Sequence, residues 1–482
     1  MQRTLLLLLV ATSYLLFAGG RTWTLAPLLI LAGAAALAAP RRTFAFPKSD
    51  RALDLALVAL LVAIGIQLLP LPASLVTRLS PHAEPVRSAI QFSTLGAPPP
   101  QWTTISVNPA ATLIALGTVA LGIVTFWTAR GMFGAGGSTR SVCRALALLG
   151  AAAAVMALIQ RAIAPRSVLF MIEPEARSAS PFGAFVNRNH FAAWLLLVAA
   201  PVTGYCIARL RIHPTSRGHW RQTVAQIMSS GVIYTALAAF VHVGALLATL
   251  SRSAVAGLGV AAITGWGLGR PRVAFEIERT RMPTVLGIAG AALLMFVLFV
   301  DVDGWSTRLE QSFSPNAAVF GRPTIWRESL PVMRDFWLTG SGAGTYADAM
   351  TVYQQSRVWV GAMQRWAHFN NAHSHYVQVA SEGGLLVCLP VLAILVVTVT
   401  LGRRAVRADK GEMFWVRVGA AAGLAGLAVQ SLWEVALIMP ANAVLAGLVG
   451  GLLLYRRDVA RQDTAAVTPD LLTPRPTPAR SR

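Results

Sequence analysis

Residues 372–401 read AHSHYVQVASEGGLLVCLPVLAILVVTVTL, a short polar stretch with two histidines followed by a long apolar run. Such a run can cross a hydrocarbon core of about 30 Å as an α-helix, which takes about 20 residues. Similar runs recur along the 482-residue chain, which is 55% hydrophobic and only 13% charged. Typical soluble domains have about 25% charged residues. The composition therefore predicts an all-α polytopic membrane protein.

Hydropathy and charge together predict about twelve transmembrane helices. The expected spans are 4–19, 23–39, 52–69, 109–129, 145–163, 189–208, 228–249, 252–269, 283–300, 376–401, 413–434 and 437–455. Arginines cluster in every second loop, and short cytoplasmic loops are enriched in Lys and Arg. This alternation predicts that both termini are cytoplasmic and that the long segments 70–108, 164–188 and 301–375 lie on the opposite side.

The net charge of +21 does not indicate nucleic-acid binding, because the basic residues follow the predicted topology and no reader motif accompanies them. The three cysteines have no metal-ligand spacing. Glu84 is the lone acidic residue of segment 70–108, so that segment offers no acidic pair for a divalent metal. Neither GxSxG nor HExxH occurs. We therefore expect no metal site and no cofactor.

The segment 301–375 is the large polar loop of this chain, and it contains one amphipathic pattern. Pro323–Trp337 is predicted to be a helix, because apolar residues recur there at helical spacing. The expected stripe is Trp326, Leu330, Met333 and Trp337. We expect this stripe to pack on the membrane surface or on neighbouring helices, with Arg322 extended just before the helix. The glycine-rich run 340–344 lacks the lysine of a Walker loop and is predicted to be a flexible turn.

Two arginines are candidates for binding an anion. Arg252 lies where the seventh and eighth spans meet, and a buried arginine is costly unless it is paired. Arg322 precedes the predicted helix, whose N-terminus attracts phosphate. A guanidinium offers forked donors that match phosphate oxygens. The alternatives are an interfacial arginine that reaches the membrane surface for Arg252 and a solvated or ion-paired arginine for Arg322.

Histidines just before the tenth span are candidates for proton transfer. His373 or His375 could take a proton from an attacking hydroxyl near neutral pH. The alternative for either residue is an interfacial histidine that is hydrogen-bonded to backbone. Glu382 lies about two turns into the span and could orient a histidine or an arginine.

Asn187–Phe191 opens the sixth span with four polar side chains. These residues could be only a helix cap and interface cluster. Alternatively, Arg188 contacts phosphate or sugar, with His190 beside it as a second substrate-binding candidate.

The order of five short motifs makes the chain resemble the O-antigen ligase and polymerase superfamily, in the branch with Wzy-type polymerases and pilin-type oligosaccharyltransferases. The motifs are Asn187–Phe191, Ser251–Ser253, Gly321–Pro323 with Trp326, Gly340–Gly344, and Ala372–Tyr376 continuing to Glu382 and Gly383. The resemblance covers about residues 180–450, and the first 140 residues match only in hydropathy. The family often has His-Asn where this chain has His373-Ser374.

The resemblance implies a metal-independent, GT-C-like glycosyltransferase of the bacterial inner membrane with a periplasmic active site. It would move a glycan from undecaprenyl diphosphate to an acceptor hydroxyl. Carried over by motif, Arg252 and Arg322 would hold the diphosphate and His373 would activate the acceptor. Residues 181–457 would be the catalytic membrane core. Hydropathy predicts N-terminal transmembrane helices in residues 1–180, and the few apolar residues of 458–482 predict a disordered cytoplasmic tail.

Ligase and polymerase share these motifs, so both readings stay open, with ligase placed first. The acceptor could be lipid A core, another glycan repeat unit or a protein, and membrane lipids surround the whole core. A membrane transporter is the alternative from another class. A transporter should place its polar residues near the bilayer midplane, in broken helices. Here they concentrate at the outer interface, which favours the transferase.

Overall fold

A computed structural model describes residues 1–39, 50–91, 100–134, 138–175, 179–212, 231–276, 321–356, 359–360 and 365–456. The helices are α1 Gln2–Leu15, α2 Leu25–Leu37, α3 Arg51–Gln67, α4 Ala73–Leu79, α5 Ala83–Ile90, α6 Pro109–Gly134, α7 Ser138–Ile163, α8 Arg188–Ile212, α9 Val232–Ala248, α10 Arg252–Glu276, α11 Arg322–Asp335, α12 Tyr346–Tyr353, α13 His375–Ala408, α14 Phe414–Gln430 and α15 Pro440–Leu454. Two short antiparallel ribbons pair β1 Leu71–Pro72 with β2 Trp102–Thr103, and β3 Trp359–Val360 with β4 Arg365–Trp366.

Within these ranges, four helices are long and apolar enough to cross a membrane, namely α6, α7, α8 and α13. Shorter apolar helices include α1, α2, α9, α14 and α15. Each expected span coincides with a helix except 283–300, which lies outside the described residues, as does the tail 458–482. The prediction of an all-α membrane protein is thereby confirmed in its coarse form. The number of crossings and a GT-C-like arrangement remain predictions.

A single apolar core joins helices from both sides of the predicted boundary at residue 180. Leu9 of α1, Trp194 of α8 and Val444 of α15 are fully buried in it. The central helix is α8, which packs against α7, α9, α14 and α15. Backbones approach closely where α10 crosses α14, because a Cβ on Gly257 would lie 2.7 Å from the carbonyl oxygen of Gly426. Small residues at such crossings let membrane helices pack tightly.

The basic loops meet at one end of this bundle. Arg417, in the first turn of α14, pairs with Asp409 at 3.0 Å, and Arg140 of α7 pairs with Glu412. Arg272 of α10 donates to the backbone carbonyl of Lys410 at 2.8 Å. The loops that the arginine alternation places on one side thus lie together, at the end of the bundle opposite the start of α8.

A second, smaller core lies at the other end and organises the polar segment after residue 321. The residues buried together in it include Val86 of α5, Val332 of α11, Phe336 at the C-cap of α11, and Tyr346 of α12. The hydroxyl groups of Ser329 and Tyr346 lie 2.7 Å apart and tie α11 to α12. This cap positions the N-terminus of α11 over the ends of the long helices.

The predicted helix is present, and the face that it buries within the protein is not the expected stripe, whose packing on a membrane surface stays a prediction. Leu330 and Trp337 are 59% and 61% exposed, whereas Ile325 and Val332 are buried on the other face. Burial therefore follows the cap core rather than the expected stripe. The helix also begins one residue earlier than predicted, with Gly321 as the extended N-cap and Arg322 as the first helical residue.

The glycine-rich run after α11 is a buried connection rather than a flexible turn. Gly340 and Gly342 have φ of +73° and +116°, values that favour glycine. A Cβ on Gly340 would lie 2.0 Å from the carbonyl oxygen of Glu382. The amide of Gly342 donates to that same carbonyl at 2.9 Å. The glycines therefore allow this segment to press against the backbone of α13.

Candidate functional site

Four helix ends and one short loop meet at the end of the bundle beneath the cap. The backbone amide of His375, the first residue of α13, donates to the carbonyl of Ser431 after α14 at 2.8 Å. The Gln430 side chain donates to the carbonyl of Asn189 at 3.0 Å, and the Asn442 side chain donates to the carbonyl of His190 at 3.1 Å. These bonds fix the starts of α8, α13 and α15 around the end of α14.

A carboxylate in the loop between α14 and α15 organises this end. The Arg322 guanidinium lies 2.5 Å from Oε1 of Glu434, and the Asn189 side-chain amide donates to the same oxygen at 2.6 Å. Glu434 is fully buried, whereas the Arg322 side chain is 29% exposed. Within the described residues, Oε2 of Glu434 and Nε of Arg322 have no hydrogen-bond partner. The pair therefore holds Arg322 by one nitrogen and leaves donor capacity for a second anion.

Burial and charge shift two titrating groups here in opposite directions. Burial raises the pKa of Glu434 to about 7, and the nearby Arg322, Asn189 and Arg188 offset part of that rise. Burial, together with the positive charge of Arg322, lowers the pKa of His373 to about 4. At neutral pH the His373 imidazole is therefore uncharged and can accept a proton.

The backbone holds His373 in an unusual conformation between two anchored neighbours. Its φ is +49°, in the left-handed region that a non-glycine residue rarely adopts. On one side, the Trp326 indole donates to the carbonyl of Ala372 at 2.9 Å. On the other side, Ser374 is the N-cap of α13 and accepts from the amide of Val377. Strain of this kind persists where the surrounding structure imposes it, often at functional sites.

The other two histidines of the predicted site lie close by. His190 in the first turn of α8 is buried and is near enough to His373 for an electrostatic interaction. His375 begins α13, two residues beyond His373. In the described part of the chain, Nε2 of His190 and Nδ1 of His375 are buried without a hydrogen-bond partner.

The two remaining arginines lie at helix starts. Arg188 is the first residue of α8, within electrostatic range of Glu434. Arg252 is the first residue of α10 and is exposed. It is flanked by the buried Ser251 and Ser253, whose hydroxyl oxygens are 3.2 Å apart. The structure thus gathers Arg188 and Arg322 around one carboxylate, while a shared role of Arg252 with Arg322 stays a prediction.

Glu382 lies further along α13, where it is buried and anchors the glycine-rich connection. Its carboxylate accepts from the backbone amides of Gly344 and Tyr346 at 2.8 and 3.1 Å and from the Gln378 side chain at 3.1 Å. The other end of Gln378 accepts from the amide of Ala372, next to His373. These contacts link Glu382 through Gln378 to the residue before His373, and orientation of His373 by Glu382 stays a prediction. Direct substrate binding by Glu382 stays a prediction.

Sequence reasoning did not single out Glu434 as a candidate, because the predicted span 413–434 simply ended on it. α14 instead ends at Gln430, which places Glu434 in the connection to α15. A lone carboxyl group in the otherwise apolar stretch Leu432–Met439 was the available signal, since an unpaired acid there is costly.

We expect Glu434→Gln to lower activity by about 10- to 100-fold, the range of one charged hydrogen bond. The wild-type rate should rise with pH through about 7, because deprotonated Glu434 holds Arg322 and protonated Glu434 does not. The glutamine variant should lack this limb. A pH–rate profile of both proteins measures it, with Glu412→Gln in the exposed pair at the opposite end as the control. An unchanged limb in Glu434→Gln would rule out this role.

Comparison with known proteins concerns the second half of the chain. Residues 237–392 match the family model described as O-antigen ligase. This match supports the resemblance to the O-antigen ligase and polymerase superfamily. The matched region of the O-antigen ligase family runs from α9 into α13 and contains Arg252, Arg322 and His373, whereas Asn189 and Glu434 lie outside it. A search of curated proteins found no match.

Within the described ranges, no group of three or more His, Cys, Asp or Glu side chains is arranged to hold a metal ion.

Proposed function

We propose that this protein is a membrane glycosyltransferase of the O-antigen ligase type, which moves a glycan from undecaprenyl diphosphate to an acceptor hydroxyl. One observation carries the proposal: Arg322, held by Glu434, lies beside the uncharged His373 at one end of an apolar helix bundle. A forked cation beside a neutral imidazole suits a reaction in which a diphosphate leaves while a hydroxyl is deprotonated.

In the proposed reaction the acceptor oxygen attacks the anomeric carbon of the glycan. His373 takes the hydroxyl proton, the new glycosidic bond forms, and the bond from the anomeric carbon to the diphosphate oxygen breaks. The electron pair of that bond stays on undecaprenyl diphosphate, whose added charge Arg322 and Arg252 stabilise. A bound diphosphate would raise the pKa of His373, because nearby negative charge favours the imidazolium form. The base is thus strengthened when the donor is present.

Ligase and polymerase differ only in the acceptor, so a Wzy-type polymerase is the second candidate. The ends of α8, α11 and α13 present their polar groups together at one end of the bundle, as either transferase requires. A transporter needs polar groups near the middle of the spans. The described site lies instead at helix termini, which supports the transferase over the transporter.

We propose that the site faces the periplasm and the arginine-rich loops the cytoplasm of a bacterial inner membrane. Thr351 on the exposed side of α12 and Lys410 in the basic loop report the two ends. In a background without native cysteines, Thr351→Cys should react with a membrane-impermeant thiol reagent in cells with permeabilised outer membranes, and Lys410→Cys should not. The reverse labelling pattern would overturn this orientation.

Transfer by the purified protein tests the function itself. With an undecaprenyl-diphosphate glycan as donor, we expect acceptor-dependent release of undecaprenyl diphosphate and a glycosylated acceptor on a gel. Lipid A core and a second lipid-linked glycan, offered separately, distinguish ligase from polymerase. EDTA should leave the rate unchanged, since arginines are proposed to neutralise the leaving group. Donor movement across vesicles without cleavage would support a transporter, and EDTA inhibition reversed by Mg²⁺ would contradict the metal-free mechanism.

A further inference from the structure

The long helix α13 is interrupted at Gly384, next to the turn that follows α11. Gly384 has φ of +53°, a positive value that favours glycine. A Cβ on Gly384 would lie 2.7 Å from the carbonyl carbon of Leu338. The turn after α11, residues 336–339, therefore presses against the interrupted part of α13.

This turn replaces hydrogen bonds that the interruption removes from α13. The amide of Leu385 donates to the carbonyl of Trp337 at 2.8 Å, and the next amide along α13 donates to the carbonyl of Leu338 at 3.0 Å. Before the interruption, the carbonyl of Glu382 accepts from the Gln67 side chain at 3.0 Å. Backbone groups at membrane depth need such partners, because lipid offers none. The turn after α11 is therefore held at the same height along α13 as the interruption.

The length of α13 beyond the interruption matches the thickness of a hydrocarbon core. The exposed Arg403 and Arg404 mark one boundary, because charged side chains are costly in the middle of a bilayer. A core of about 30 Å takes about 20 helical residues, and counting back that far from Arg403 reaches Gly383. By this length, the hydrocarbon-spanning part of α13 begins at the interruption rather than at residue 376, where the expected span began.

One face of this part of α13 is apolar and exposed along its length. It consists of Leu385, Leu389, Leu392, Val396 and Val399. Residues at such spacings of three or four share one face of a helix, and on a membrane span an exposed apolar face meets lipid. The exposed Trp337 and Leu338 lie beside the first residue of this face, joined to it by the hydrogen bond from the Leu385 amide. The lipid-facing surface of α13 therefore continues onto the turn after α11.

The exposed side of α11 extends this surface away from α13. Leu330 precedes Trp337 by about two helical turns, and both side chains are exposed. Arg334 lies between them and pairs with Asp335 at 2.9 Å, so its charge is offset within the protein. Tryptophan is enriched where membrane meets water, because its ring is apolar and its N–H group is polar. Leucine and tryptophan beside cationic side chains suit a helix that lies in the membrane surface.

We propose that Leu330, Trp337 and Leu338 form a membrane-docking surface, which lies at the boundary between headgroups and hydrocarbon in the lipid leaflet on the side of the candidate site. Lipid is the occupant rather than a second protein, because the surface continues a face of α13 that meets lipid. The part of α13 before Gly384 stands on the water side of this boundary. Docking also holds α11, with Arg322 at its start, at a fixed height above the leaflet.

Spin-label accessibility measures this depth in the full chain in phosphatidylcholine nanodiscs. Nitroxide labels are attached to Trp337→Cys, to Leu392→Cys on the lipid-facing side of α13, and to Thr351→Cys on the exposed side of α12, each in a background without native cysteines. Oxygen concentrates in hydrocarbon, whereas a polar nickel chelate concentrates in water. The ratio of oxygen to nickel accessibility at Trp337→Cys should lie between the high value at Leu392→Cys and the low value at Thr351→Cys. Leu338→Cys gives a second reading if thermal unfolding shows that Trp337→Cys is not folded.

A label at Leu330→Cys tests whether Trp337 anchors the surface. With Trp337 in place, this label should also give an intermediate ratio. Adding Trp337→Ser should lower the ratio toward that of water, because the aromatic ring beside α13 is lost. Adding Arg334→Ala instead is the matched control and should leave the ratio unchanged, since Arg334 is paired with Asp335. An equal fall in both backgrounds would remove Trp337 as the anchor.

Three results would overturn the proposal. A ratio at Trp337→Cys equal to that at Thr351→Cys would place the surface in water. A ratio equal to that at Leu392→Cys would place the interruption of α13 inside the hydrocarbon. Low accessibility to both reagents would show that protein covers the surface, either a second copy or another segment of this chain. These readings do not use glycan transfer, so the proposed function and the docking surface can fail separately.

Discussion

Arg322→Ala should lower glycan transfer by about 10²–10³-fold, the typical effect of losing one donor that stabilises a transition-state anion. The variant removes the guanidinium that pairs with Glu434. Of the two groups that contact Oε1 of this buried carboxyl group, the Asn189 side-chain amide then remains. Arg322→Lys should restore little, because an ammonium lacks the planar fork that can hold Glu434 and a phosphate together. Initial rates in the purified transfer assay, with protein amounts matched by gel, give the comparison.

Arg334→Ala is the matched control for this prediction. It lies on the same helix, α11, with its side chain 80% exposed and paired with the neighbouring Asp335. Exposed ion pairs contribute little to stability. We expect near-wild-type transfer from Arg334→Ala. A loss as large as that of Arg322→Ala would mean that α11 tolerates no change, and the special role of Arg322 would have no support.

His373→Ala is expected to lower transfer by about 10²–10⁴-fold, because a positioned general base typically contributes that much. The backbone φ of +49° at His373 also sets the position of its imidazole, so a neighbouring histidine cannot easily take over its role. His375→Ala should retain most activity, because His375 is the first helical residue of α13 whereas His373 lies before its N-cap, so the two side chains occupy different positions. Full activity in His373→Ala would remove the proposed base and favour the transporter reading.

The pH dependence of kcat/KM adds a second readout, since it reports the free enzyme. His373 acts as a base when unprotonated, and its pKa is lowered to about 4, so its limb should appear as activity lost only below about pH 5. The limb near pH 7 belongs to Glu434. If the limb near pH 7 disappears in His373→Ala and persists in Glu434→Gln, the two assignments are reversed.

Several elements of the site are legible in the order of the residues. Arg252, Arg322 and His373 stand in short motifs whose neighbours are local, such as the proline after Arg322 or the N-cap Ser374 after His373. Helix starts carry recognisable signals, so the polar groups could be placed at helix ends. The buried face of α11 could not be predicted in this way. The expected stripe is as apolar as the residues of α11 that pack in the cap core, and it consists of Trp326, Leu330, Met333 and Trp337. Which face is covered depends on α5 and α12.

The sequence alone determined the class of this protein, because apolar runs of about 20 residues have one stable outcome, a membrane helix, whatever they pack against. It also determined which arginines and histidines stand at helix ends. Tertiary structure decided what those residues touch. Glu434 lies 112 positions from Arg322 and 245 from Asn189. These three residues meet only because the starts of α8 and α11 lie beside the end of α14. A single buried carboxyl group leaves no periodic pattern in the sequence. Glu434 is the partner of Arg322 because distant helices pack together, and no local pattern predicts that pairing.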